Sequence, residues 1–100
     1  MTIKIENEGN ELVVRMAGRL DTAAAAQITP DIQALEEQAD KHIILECSDL
    51  EYISSSGLRL FLTLRKASAS KGGKLQVRNI NADIRQVFMM TGFISLFEIL

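Results

Sequence analysis

The chain has 100 residues, 47% of them hydrophobic and 24% charged, with a formal net charge of −2. That length suits one core burying roughly 60–70% of the unfolded surface, and the balance excludes a disordered segment. Scattered Lys and Arg and only five aromatics argue against direct nucleic-acid binding.

Ile3 and Ile5 alternate with Lys4 and Glu6, the period-2 pattern of a strand with one solvated face. Charges at Lys4, Glu6, Glu8, Glu11 and Arg15 also interrupt any signal-peptide core. Turn residues Asn7–Asn10 lead to a second strand, Leu12–Ala17, which the pattern ends at Gly18. Asp21 or Thr22 then caps a helix that opens on Ala23–Ala26. Ile28, Ile32, Leu35 and Ala39 stay in phase across Pro30, which predicts one helix kinked there.

His42–Cys47 is short, apolar and β-branched, as expected of a strand covered on both faces. A polar loop, Ser48–Ile53, leads to three serines, and a helix runs from Gly57 toward Ser70, stopped by Gly72-Gly73. Lys74–Arg78 alternates as a strand. Asn81 caps a third helix with Ile84, Val87 and Phe88 on one face, ended by Gly92; Phe93–Leu100 supplies a short edge strand. The order ββαβαβα(β) predicts a single α/β domain over residues 1–100, with an N-terminal antiparallel hairpin and helices packed on a mixed sheet.

Enzymatic constellations are absent. One His and one Cys leave no zinc spacing, and no phosphate-binding glycine loop or nucleophile elbow occurs. A triad through His42 is disfavoured, because a strand start lies opposite the loops where sites in such sheets gather. Asp21, Asp49 and Glu51 read as solvated carboxylates near strand ends. No cofactor is expected. No apolar run approaches the ~18 residues that span a bilayer, and a lone Cys47 in an apolar run fits a reducing compartment. The expectation is a soluble cytoplasmic protein without membrane insertion.

The serines Ser54, Ser55 and Ser56 follow a strand and open a helix. Free N–H groups and the positive dipole end at that position favour a phosphate. Gly57 carries no side chain to crowd such a group, and Arg59, four residues beyond Ser55, offers a counter-charge. The competing reading is structural, since Ser is a favoured N-cap. Met89-Met90 offers an adaptable contact surface, with one of the pair expected in the core. Tyr52 reads as an exposed shoulder, His42 as an ordinary strand-edge residue, and Leu58, Phe61 and Leu62 as core.

Four segments together resemble the STAS domain family, in particular bacterial anti-sigma factor antagonists. Ile53-Ser-Ser-Ser-Gly-Leu58 is similar to the family's phosphorylation loop. Gly18-Arg-Leu-Asp21 resembles its G-x-L-D element. Ile43–Cys47 with Asp49-Leu50 looks like the strand and turn before that loop, and Asn81–Phe93 looks like the C-terminal helix. The likeness covers essentially the whole chain in order.

The resemblance implies a non-enzymatic partner switch. An unphosphorylated antagonist binds an anti-sigma factor that is also a serine kinase, is dismissed by phosphorylation on a loop serine, and is restored by a serine phosphatase. It places the acceptor at Ser55, with Ser54 and Ser56 as alternatives, and a partner-binding surface of Asp21, Tyr52, Ser54, Ser56 and Gly57. Two departures stand out: Ser54 occupies the place of the family's usual aspartate, and Arg19 that of an acidic residue. The alternative within the same family is a constitutive subunit of a larger assembly, such as a lipid-transport complex.

Overall fold

A computed structural model describes residues 1–100. Strands β1 (Thr2–Glu8) and β2 (Glu11–Leu20) form the expected antiparallel hairpin, closed by the pairing of Glu8 with Glu11. There follow α1 (Thr22–Glu37), β3 (His42–Ile53), α2 (Ser55–Lys71), β4 (Lys74–Arg78), α3 (Ala82–Thr91), a 3-10 turn (Phe93–Ser95) and β5 (Glu98–Ile99). The sheet order is β1-β2-β3-β4-β5, and every pairing after the hairpin is parallel. Phe93–Leu100 thus does supply a short edge strand, β5.

Each parallel step is a strand–helix–strand crossover, and such crossovers are right-handed almost without exception. Because every step here moves to the next strand in the same direction, all three helices lie on one face. Leu12, Val14 and Met16 of β2, Ile43, Leu45 and Cys47 of β3, and Val77 of β4 point into that face. They meet Ile28, Ile32 and Leu35 of α1, Phe61 and Leu64 of α2, and Ile84 and Phe88 of α3. Phe61 and Phe88 meet edge to face at 6.2 Å between centroids, a favoured aromatic geometry.

Pro30 lies inside α1, and the buried stripe continues through it, so the chain keeps one helix there. The stripe compensates: Ile28 before Pro30 and Ile32 and Leu35 after it are all buried.

Three sequence expectations need correction. Residues 43–47 of β3 are all buried, as expected of a strand covered on both faces, although the helices take only one face and the other carries Arg15, Glu46 and Arg78 in register across three strands. Gly18 does not end β2. It sits within the strand at φ +98, a conformation glycine adopts without strain, and β2 continues to Leu20. Ser48–Ile53 is not a loop but the second half of β3. Five steps along β2, from Arg15 to Leu20, are matched by seven along β3, from Glu46 to Ile53, through two register shifts. Each extra residue is a β-bulge that resets which side chains face inward. Buried residues therefore fall at Cys47, Leu50 and Ile53, three apart rather than two. Lastly, α2 starts at Ser55, two residues before the expected Gly57.

Candidate functional site

The C-terminal ends of β2, β3 and β4 each feed a helix, so the N-termini of α1, α2 and α3 gather along one edge of the sheet. Each is capped the same way. Asp21 Oδ1 accepts the Ala24 N–H at 2.8 Å, Ser54 Oγ the Gly57 N–H at 3.2 Å, and Asn81 Oδ1 the Ile84 N–H at 2.8 Å. The caps are also tied to the strands. Ser54 N–H donates to the Leu20 carbonyl at 2.8 Å, and Asn81 Nδ2 donates to the Leu50 carbonyl at 3.0 Å. Leu20 and Ile53 are cross-strand partners, so the Asp21 and Ser54 caps flank one shared backbone bond.

Within the serine triplet the three hydroxyls have different environments. Ser54 is half-buried and committed to the cap. Ser55 is the first helical residue, is exposed, and its hydroxyl makes no hydrogen bond within the protein. Ser56 is half-buried and lines a groove between α1 and α2. The structural and chemical readings of the triplet thus fall on different residues: Ser54 is the cap, and Ser55 is the free hydroxyl.

Gly57 sits here for a different reason than expected. It is buried, and a Cβ on it would lie 2.7 Å from Leu20 Cγ and 3.0 Å from Ile53 Cγ1. Its missing side chain lets the first turn of α2 close onto the ends of β2 and β3, rather than clearing space for a solvent-side group.

Around the serines, Asp49, Glu51 and Asp21 are exposed. Tyr52 is 40% exposed, and the Arg19 guanidinium lies 4.3 Å above its ring centroid, a cation–π stack. The two bulges put Arg19 and Tyr52 opposite each other in register. Nothing in the sequence spacing pairs these residues, because counting back from the serines with an uninterrupted strand misaligns them.

Glu46 was also missed, although a carboxylate inside the apolar run His42–Cys47 is a legible signal. It is 5% exposed. Arg78 Nε donates to its Oε1 at 2.9 Å, Asn79 Nδ2 to both oxygens at 3.0 and 3.1 Å, and the Ser48 N–H to Oε2 at 3.3 Å. Burial alone would raise this carboxyl, but the hydrogen bonds from Arg78, Asn79 and Ser48 outweigh it and hold it below its ordinary value. The Ser48 bond falls within the first register shift, so Glu46 braces the bulge that aims the rest of β3 at the serines. Asn79, at φ +60, is the one non-glycine residue with positive φ, and this bond helps keep it there.

Other expectations resolve as follows. Met89 and Met90 are both exposed, at 63% and 79%, so neither fills the core. The helix turns at Asn81 such that Ile84 and Phe88 take the buried positions instead. His42 is not at a sheet edge: it opens the central strand between Glu11 and Gln76, with Nδ1 3.3 Å from Glu11 Oε2. Of the stripe on α2, Leu58 and Phe61 are buried, while Leu62 is half-buried and Leu64 takes its place. No helix is long and apolar enough to cross a membrane.

The profile of the STAS domain family matches residues 2–100. This chain belongs to the STAS domain family. Among similar STAS proteins is an anti-sigma-B factor antagonist of Bacillus subtilis strain 168, 28% identical over 100 residues, covering 99% of this chain and 90% of that protein. Another is an anti-sigma F factor antagonist of Paenibacillus polymyxa, 27% identical over 100 residues, with coverage of 99% and 86%. The fold also superposes on the crystal structure of an anti-sigma factor antagonist from Mycobacterium paratuberculosis, with a TM-score of 0.86. That likeness holds at 20% identity and covers 98% of this chain and 83% of the other. These relatives are antagonists by name, and this STAS domain spans 83–90% of their lengths.

Proposed function

We propose that this STAS domain is an anti-sigma factor antagonist, a non-enzymatic partner switch controlled by phosphorylation of Ser55. The observation that carries the reading is the division of labour in the triplet: Ser54 caps α2, which leaves Ser55 exposed and unbonded at its first position. The names of the two relatives that match over nearly the full chain support the partner class. Asp21, Tyr52, Ser54 and Ser56 form the docking surface around Ser55, and Gly57 serves it from beneath by close packing.

The switch is chemically simple. In the unmodified form a small neutral hydroxyl lies at the centre of a surface that an anti-sigma factor with serine kinase activity can cover. In the transfer, the Ser55 oxygen–phosphorus bond forms as the γ-phosphoryl group leaves ATP. The hydroxyl proton passes to a base of the kinase, and ADP departs. The product carries ≈ −1.5 to −2 charges beside the carboxylates of Asp21, Asp49 and Glu51, and covering it again requires desolvating that charge. A few kcal/mol suffice, since each ~1.4 kcal/mol is tenfold in affinity. A serine phosphatase hydrolyses the ester and resets the switch. All of this chemistry belongs to the cytoplasm, where ATP and sigma factors are found.

The test combines mass spectrometry and binding. With ATP and the anti-sigma kinase of its own organism, the wild-type chain should gain one phosphate and Ser55→Ala none. Ser55→Ala should bind that kinase as wild type does, and Ser55→Asp at least tenfold more weakly. Equal binding by Ser55→Ala and Ser55→Asp, with no transfer, would instead identify a constitutive subunit of a larger assembly.

A further inference from the structure

Arg59 stands one helical turn beyond Ser55. Because α2 begins at Ser55, the two residues are i and i+4 on a single continuous helix and share a face. Helical side chains lean toward the N-terminus and cover the turn before their own Cα. From its place along the α1–α2 groove, a side chain of this length can reach back over the turn that carries Ser55. Both residues are exposed, and the Arg59 side chain enters no ion pair and no hydrogen bond.

Arg59 is offered no anion by the groove that it lines. It is the only charged residue lining the shallow groove of about 340 Å³ between α1 and α2, whose polar groups are Thr22, Thr29, Ser56 and Thr63. The Thr29 and Thr63 hydroxyls already donate to the carbonyls of Ala25 and Arg59, at 2.8 and 2.9 Å. Among other cations, Arg19 is stacked on Tyr52, and Arg65 is bonded to the Leu96 carbonyl at 2.6 Å. Arg59 thus combines five free donors with the position an incoming phosphate would need.

We propose that Arg59 is the built-in counter-cation of a phosphate on Ser55: after modification its guanidinium folds back one turn and takes two phosphate oxygens. Phosphorylation then does two things at once. It adds a doubly charged group to the docking surface, and it withdraws from that surface the one free cation of the α1–α2 groove. This rests on the assignment of Ser55 as the acceptor, but it concerns the modified protein alone and needs no partner.

The experiment is a phosphorus NMR titration of the full chain with phosphoserine installed at position 55 during synthesis, without any kinase. The exposed carboxylates of this end of the fold, Asp21 and Glu51 among them, are common to all the proteins compared, and Arg19 is common to the wild type and the Arg59 variants. The second ionisation of the phosphate should lie about half a unit lower in the wild type than in Arg59→Gln. Arg59→Lys should recover part of that difference, Arg19→Gln should match the wild type, and high salt should shrink the gap. The Arg59 Nε–H resonance should also shift on modification, which a purely structural role would not produce. Equal ionisation in wild type and Arg59→Gln would overturn the proposal, as would an effect that follows Arg19 instead. Either result leaves the partner-switch reading standing, while absence of transfer by the kinase would undo that reading without touching this measurement.

Discussion

Ser54 Oγ accepts the Gly57 N–H at 3.2 Å, which commits one hydroxyl of the triplet to holding the helix that presents the next. Ser54→Ala leaves that N–H unpaired and should lower stability by about 1 kcal/mol. Ser54→Asp should not, because a carboxylate caps as well and also suits the positive end of the helix. Urea unfolding of the three proteins checks this, and an alanine variant as stable as wild type would show the cap to be idle. The same equivalence makes serine and aspartate interchangeable as caps at this position.

Gly57→Ala should be more damaging, though the change is a single methyl group. The added carbon would meet Leu20 Cγ at 2.7 Å and Leu20 Cδ2 at 2.9 Å. Leu20 is fully buried, so it cannot simply swing aside. Overpacking of this kind costs about 1–3 kcal/mol. The first turn of α2 should loosen as it moves off β2 and β3, read as faster amide exchange at Leu58 and Arg59 than in wild type. Unchanged exchange and an unchanged unfolding midpoint would mean that α2 has room the distances do not show.

Most of this fold was legible because its strands and helices follow simple periods and carry strong stop signals. Asp21, Asn81 and Gly92 mark helix ends by residue type alone, and Ile28, Ile32 and Leu35 carry α1 through Pro30. The far half of β3 was not legible. Two bulges space Cys47, Leu50 and Ile53 three apart, a pattern that matches neither strand nor helix, and the polar residues between them read as loop. The proposal of Ser55 rests on the family likeness of its loop and on its exposed, unbonded hydroxyl. The Arg19–Tyr52 stack was hidden, because it exists only in the shifted register that those bulges create.

Cys47 gives a direct probe of core opening. Burial, and secondarily the neighbouring Glu46 charge, push its thiol up to about 12. It is fully buried, and its Sγ points to the Leu45 carbonyl at 3.6 Å. At pH 8 the native protein should react with an alkylating reagent far more slowly than the urea-unfolded chain, in which the thiol returns to its ordinary range. The native rate should follow the population of open molecules, so Gly57→Ala should accelerate it. Rapid labelling of the folded wild type would contradict the packing around β3.

Glu46 ties the stability of the fold to pH. Its carboxylate is nearly buried and receives Arg78, Asn79 and the Ser48 N–H, and these bonds hold its ionisation below the ordinary 4.5. A carboxyl whose folded value lies below its unfolded one contributes stability that is fully present above the unfolded value. That contribution is lost as pH falls through the lower folded value. At pH 7, Glu46→Gln should therefore be less stable than wild type by about 1–3 kcal/mol, since hydrogen bonds to a charged group become neutral ones. Below the folded value, the wild-type carboxyl is itself neutral, and the two unfolding curves should converge. The other carboxylates are common to both proteins and cancel in the difference. Because the Ser48 bond braces the first bulge, the neutralised residue should also loosen the far half of β3. Amide exchange at Leu50 and Tyr52 should rise in Glu46→Gln at neutral pH and rise in wild type only on acidification. A stability difference that persists unchanged at low pH would mean that Glu46 acts through shape alone, not through its charge.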